Sequence, residues 1–130
     1  MDMREQITGL GHIGIPVRNI DDTVAFYQMI GFRVVLDTVN PQNSQKVIFL
    51  KQKDVMLELY QQEETVLVAG AINHIALDVN DLDAVYRYVC EKGLNNTKDT
   101  IHQLPFWKSG VRYFTIEGPN GERIEFSQYL

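Results

Sequence analysis

The chain holds a single cysteine, Cys90, so it can form no internal disulfide and needs no oxidising compartment. It has no run of lysines and arginines, and its 12 basic residues are outnumbered by 17 acidic ones, for a net charge of −5. That balance argues against nucleic acid and anionic membrane as partners. No stretch approaches the roughly 20 apolar residues of a membrane span. The start, Met1 to Gln6, has no apolar signal core, and the expected location is cytoplasmic. Also missing are a glycine-rich phosphate loop, a Ser/His/Asp order and a Cys/His pair. What is left is 130 residues, 45 % hydrophobic and 22 % charged, enough for one globular domain with a real core.

Within that ordinary composition one pattern is written twice. The first copy reads Gly11-His12-Ile13-Gly14-Ile15-Pro16-Val17, then Asn19-Ile20-Asp21, then Gly31-Phe32. The second reads Asn73-His74-Ile75-Ala76-Leu77-Asp78-Val79, then Asp81-Leu82-Asp83, then Gly93-Leu94. Both the histidines and the glycines are offset by 62 residues. Each copy ends on a strand carrying one carboxylate between apolar neighbours: Leu57-Glu58-Leu59 and Ile124-Glu125-Phe126.

Each copy reads as strand, helix and three strands. In the first, Leu10 to Val17 is extended. Asn19 caps a helix with Asp22 as partner, and Gly31 stops it. Arg33 to Val39, Lys46 to Leu50 and Val55 to Tyr60 read as strands, with a loop at Asn40 to Ser44 and a turn at Lys53-Asp54. Gln61 to Gly70 reads as a connection. In the second copy, Ile72 to Val79 is a strand, Leu82 to Lys92 a helix, and a strand falls near Leu94 to Ile101. A hairpin over Val111 to Glu117 and Glu122 to Gln128 turns at Gly118-Pro119-Asn120-Gly121. The second copy is five residues longer between His and Glu, an excess expected in a loop over His102 to Gly110. The expected organisation is one domain over 1–130, with module one at about 8–60, a linker at about 61–71 and module two at about 72–128.

Strand alternation puts His12, Gly14 and Pro16 on one face, and Ile13, Ile15 and Val17 on the other. His74, Ala76 and Asp78 follow the same rule. Glu58 and Glu125 point away from the apolar neighbours that flank them. A buried carboxylate without a partner costs several kcal/mol in effect, and a divalent cation removes that cost. Duplication relates equivalent residues by a pseudo-twofold axis, so His12, Glu58, His74 and Glu125 can converge on one ion. Two nitrogens and two oxygens without thiolate suit Zn, Ni, Co, Fe or Mn. Against this stands the plain alternative of hydrogen-bonded histidines and solvated glutamates; the coincidence of all four at duplicated positions favours the metal.

These same segments, with Ala25-Phe26-Tyr27 before Gly31-Phe32 and Gly118-Pro119-Asn120-Gly121 leading to Glu125, resemble the vicinal oxygen chelate superfamily, also called glyoxalase/bleomycin resistance/extradiol dioxygenase. The resemblance runs from Leu10 to Gln128. It implies an α+β fold of two paired βαβββ modules, whose curled mixed sheets surround a metal-binding cavity with ligands His12, Glu58, His74 and Glu125. The His/Glu/His/Glu set is similar to glyoxalase I, the lactoylglutathione lyase type. Methylmalonyl-CoA epimerases commonly have Gln at the Glu58 position, and extradiol dioxygenases and fosfomycin-modifying enzymes generally use two His and one Glu. In one respect the chain departs from glyoxalase I. Enzymes that use glutathione often carry Arg four residues after the first ligand His, where this chain has Pro16; Arg18 or Arg112 is the replacement to consider.

The function so implied is a lyase or isomerase that moves a proton next to a carbonyl through a metal-chelated enediolate, with Glu125 as base and Glu58 as its counterpart. The cofactor is one divalent metal ion, and a thiol cosubstrate such as glutathione stays open. Alternatives are an epimerase of acyl thioesters, an epoxide-opening enzyme of the fosfomycin kind, and a binding protein that sequesters an antibiotic. Candidate substrate contacts are Met56, Phe106, Trp107, Lys108, Arg112 and Arg123, each weighed against packing or surface charge. A homodimer is expected, with the metal site either within one chain or shared between two.

Overall fold

The structure is a computed structural model and describes residues 1–130. It divides into two compact units, Met1–Thr65 and Val66–Leu130. The first holds a short helix α1 (Met3–Gln6), strand β1 (Ile13–Val17), helix α2 (Ile20–Met29), and strands β2 (Arg33–Val39), β3 (Lys46–Gln52) and β4 (Val55–Gln61). The second holds β5 (Ile75–Asp78), α3 (Leu82–Glu91), β6 (His102–Leu104), β7 (Val111–Glu117) and β8 (Arg123–Tyr129). Each unit forms one four-stranded mixed sheet, in the orders β1-β4-β3-β2 and β5-β8-β7-β6. The fold class is therefore α+β, built of two βαβββ modules. No helix is long and apolar enough to cross a membrane.

The same physics builds both modules. The first strand lies parallel to the last, and the other pairs are antiparallel. In module one the helix-facing side is apolar rung by rung: Ile13, Leu57 and Leu50 are in register, as are Ile15, Leu59 and Ile48. Leu50, Leu57 and Leu59 are almost fully buried. In module two the matching rungs are Ile75, Ile124 and Ile116, then Leu77, Phe126 and Phe114. Asn19 caps α2 by accepting the Asp22 N–H at 3.1 Å, and Asp81 caps α3 by accepting the Ala84 N–H at 3.0 Å. Gly31 follows α2 at φ +95°, a conformation that favours glycine.

A repeated glutamine ties each helix start to its sheet. The Gln61 carboxamide accepts the Ile20 N–H at 2.8 Å and donates to the Arg18 carbonyl. Gln128 accepts the Leu82 N–H and donates to the Asn80 carbonyl, both at 2.9 Å. These bonds satisfy groups that a helix N-terminus leaves open. Gln128→Ala is expected to cost about 1–2 kcal/mol, since it strands one donor and one acceptor. Urea denaturation should show the lower midpoint, and Gln128→Glu, which keeps only the acceptor, should fall between.

Two sequence expectations are corrected. Leu94 to Ile101 is not a strand. Its polar residues bond locally instead: the Asn95 side chain brackets the Asp99 backbone, accepting its N–H at 3.2 Å and donating to its carbonyl at 3.1 Å. The strand lies later, as β6, inside the segment expected to be a loop. The length excess is also elsewhere. The connections after β2 and after β6 are equally long, whereas the one between α3 and β6 is much longer than that between α2 and β2, and the β7–β8 turn is longer than the β3–β4 turn. At that turn Gly121 has φ +78°, and a Cβ there would collide with the Leu67 carbonyl. The segment after Thr65 is thus laid against the β7–β8 turn.

Candidate functional site

The face of each sheet opposite the apolar rungs carries the candidate residues. In module one Glu58 sits in a rung with Gly14 on one side and Phe49 on the other. In module two Glu125 sits between Ala76 and Thr115 in the same arrangement. His12 and His74 each lie two residues ahead of the small residue in that rung. The small neighbours leave the carboxylates room: a Cβ on Gly14 would stand 3.6 Å from Glu58 Oε1. His12 Nε2 lies 3.7 Å from Glu58 Oε1, and its ring meets Phe49 edge-on at 5.6 Å. The two side chains are 47 % and 30 % exposed, so both are open to a ligand. The Asn73 side-chain oxygen lies 3.1 Å from His74 Nδ1, which favours the tautomer with its lone pair on Nε2.

The other candidates scatter. Met56 shares the Glu58 face and is half-buried. Arg112 forms a bidentate ion pair with Asp83 of α3, at 3.0 Å on both arms. That pairing holds the Asp83 carboxyl below its usual range and raises the Arg112 guanidinium. Phe106, Trp107 and Lys108 are exposed in the loop after β6, where Trp107 has φ +65° and its indole meets Tyr129 edge-on at 5.9 Å. Arg123 stands on the Glu125 face and lines a cavity of about 520 Å3 with Asn96, Thr97, Asp99, Thr115 and Glu117.

Sequence reasoning missed this cavity and the pair beside it. The His102 Nε2 lies 2.6 Å from Asp99 Oδ1, and the His102 ring leans on Tyr113 at 5.3 Å. Desolvation opposes the Asp99 charge, but bonds from His102, the Thr115 N–H and the Thr100 N–H outweigh it and hold the carboxyl below its usual range. The available signal was the cluster of Asn, Thr and Asp between Leu94 and Ile101, residues that prefer side-chain bonds to backbone over strand pairing.

Residues 9–126 match the family model described as the Glyoxalase/Bleomycin resistance protein/Dioxygenase superfamily. The chain belongs to that superfamily. A relative in Bacillus subtilis (strain 168), "Uncharacterized protein YwbC", is 35 % identical over 124 residues, covering 92 % of this chain and 96 % of its own. Solved superfamily folds overlay it closely. A glyoxalase family protein from Enterococcus faecalis gives a TM-score of 0.73 at 18 % identity, over 94 % of this chain and 98 % of its own. The fosfomycin resistance protein FosX from Listeria monocytogenes, complexed with Mn(II) and sulfate, gives 0.71 at 16 %, over 95 % and 94 %. A bleomycin-binding protein complexed with bleomycin gives 0.67 at 24 %, over 95 % and 100 %. At these identities the likeness is one of fold.

The structure brings two candidate donors together in module one, His12 and Glu58, whereas His74 and Glu125 in module two form no such pair. Two donors about 2.1 Å from a cation, at angles of 90–110°, stand roughly 3.0–3.4 Å apart. The His12–Glu58 separation of 3.7 Å is within a few tenths of an ångström of that. Nowhere in the structure do three or more His, Cys, Asp or Glu stand together in metal-holding geometry.

Proposed function

We propose that this superfamily member is a metal-dependent lyase or isomerase of the glyoxalase I kind, which moves a proton on the carbon next to a carbonyl. In this reading residues 1–130 act as one domain. His12, Glu58, His74 and Glu125 hold one divalent cation, of Ni, Zn, Co, Fe or Mn. The observation that carries the reading is the duplicated rung: a glutamate beside a small residue, with a histidine two positions ahead, on the open face of both sheets. A cation held by these four residues would polarise neighbouring substrate oxygens and so acidify the adjacent C–H. The Glu125 carboxylate accepts that proton and returns it to the neighbouring carbon, and Glu58 is its counterpart. Ile124 and Phe126 hold Glu125 from behind and are buried, so the carboxylate is aimed by the core. Met56 and Arg123, which share faces with Glu58 and Glu125, contact substrate, and the exposed Phe106-Trp107-Lys108 loop contributes to its cover. Pro16 removes the first-strand arginine of glutathione users, so the thiol cosubstrate is left to experiment, with Arg18 next in line to meet a carboxylate.

Sequestration without turnover, supported by the likeness in fold to a bleomycin-binding protein, is the rival reading. Elemental analysis of protein purified without added metal should find a divalent cation, lowered by His12→Ala and by His74→Ala alike. A screen on hemithioacetals, branched acyl-CoA thioesters and fosfomycin should then find turnover that chelator abolishes. No metal uptake sinks the proposal; metal uptake with tight bleomycin binding and no turnover favours the rival. We also propose a homodimer, because the outer strand β2 exposes Val34, Val35, Leu36 and Val39. Light scattering at the monomer mass of 15.0 kDa would remove it.

A further inference from the structure

The duplication supplies an internal template against which module two can be compared. In module one, β2 pairs along the length of β3: Arg33, Leu36 and Thr38 stand opposite Lys51, Phe49 and Val47. In module two, the equivalent strand β6 has only three residues and reaches no further along β7 than Tyr113. Beyond it, side chains replace the missing strand. The Asp99 carboxylate accepts the Thr115 N–H at 2.9 Å, and the Thr97 hydroxyl donates to the Thr115 carbonyl at 2.7 Å. The Asn96 carboxamide accepts the Glu117 N–H at 3.0 Å and donates to the Glu117 carbonyl at 2.8 Å. This rail satisfies the edge of β7 and leaves open the space that a strand's own side chains would fill. The cavity of about 520 Å3 lies there, within the roughly 300–1,000 Å3 of small-molecule sites.

The groups lining it divide into spent and free. Asn96, Thr97 and Asp99 are committed to the backbone. Arg123 and Glu117 face each other in register across β8 and β7, yet their side chains form no ion pair and no hydrogen bond. Arg112, five positions earlier on β7, shows the contrast, since Asp83 pairs with its guanidinium on both arms. The module-one counterparts of Glu117 and Arg123 are Lys51 and Met56, so the opposed charges are peculiar to module two. Asp99 is engaged by His102 and by backbone, so the free charges of the lining are one of each sign, Glu117 and Arg123, and a purely anionic ligand leaves Glu117 unmatched. A purely cationic ligand leaves Arg123 unmatched. A ligand with both charges satisfies both groups.

We propose that this cavity binds the α-amino-carboxylate end of a zwitterionic ligand, with the carboxylate on Arg123, the ammonium on Glu117 and the Thr115 hydroxyl alongside. The site is read from module two alone; it shares Arg123 with the substrate contacts of the proposed function and lies on the Glu125 face, and the arm with EDTA separates it from the metal reading. The test is amide NMR of the full-length protein titrated with L-alanine, propionate, ethylamine and neutral lactamide, with and without EDTA. L-Alanine is expected to shift the amides of Thr115, Glu117 and Arg123 in both conditions, at least tenfold more tightly than any of the other three probes. Arg123→Gln and Glu117→Gln are each expected to weaken it about tenfold while leaving the remaining spectrum in place. Equal binding of propionate or lactamide, shifts that vanish in EDTA, shifts elsewhere, or variants that bind L-alanine as well as the parent would each overturn the proposal.

Discussion

Glu125→Gln is expected to lower turnover at least about 100-fold with little change in fold, the usual loss for a general base. The amide has the size and shape of the carboxylate, so the rung with Ala76 and Thr115 is kept. The carbonyl of that amide would remain a weak ligand for the proposed cation, but it takes no proton at neutral pH. Turnover on the substrate found by the screen, measured beside metal content, separates the two roles. His12→Ala should behave differently: metal affinity falls first, and excess metal restores part of the activity. Near-full activity in Glu125→Gln would leave Glu125 as a ligand only and move the base to Glu58, across the duplicated pattern.

Phe114→Ala is expected to cost about 3–5 kcal/mol, among the largest losses open to a single core substitution. Phe114 is fully buried in β7. Its ring meets Tyr86 of α3 edge-on at 5.0 Å and lies against Phe126 of β8 at 5.2 Å, so it joins helix to sheet. The backbone around it is held on both sides by ladder bonds, to β8 directly and to the rail on the other edge. Little collapse into the vacated space is therefore available, and the cavity term adds to the lost transfer energy. Urea denaturation should show the lower midpoint with an unchanged slope. A cost below about 1 kcal/mol would mean that Tyr86 and Phe126 close over the gap.

The repeat made much of this architecture legible. Alternation along Leu10 to Val17 and Val55 to Tyr60 tells the apolar face from the open one, because a half-buried strand has only two faces. The N-caps at Asn19 and the glycine stop at Gly31 were legible for the same local reason. Leu94 to Ile101 was not. Its apolar ends suggest a strand, but the residues between them bond to backbone through their side chains, and that competition is decided by a β7 edge distant in sequence. The positive φ of Trp107 has no local signal either, since a non-glycine residue adopts it only when its surroundings impose it. Gln61 and Gln128 were legible and overlooked: each stands three residues after its glutamate, as the repeat requires.

The rail of Asn96, Thr97 and Asp99 bears on how such a protein can change over generations. Glu125 is fixed by the register of β8 with β5 and β7, and Thr115, Glu117 and Arg123 of the cavity wall stand on those same strands, whereas Asn96, Thr97 and Asp99 lie on the connection outside the ladder. Substitutions in that connection can reshape the chamber without shifting the register that aims the glutamate. One half of the chamber wall is thus free to drift residue by residue, while the other half is inherited together with the strands that carry Glu125.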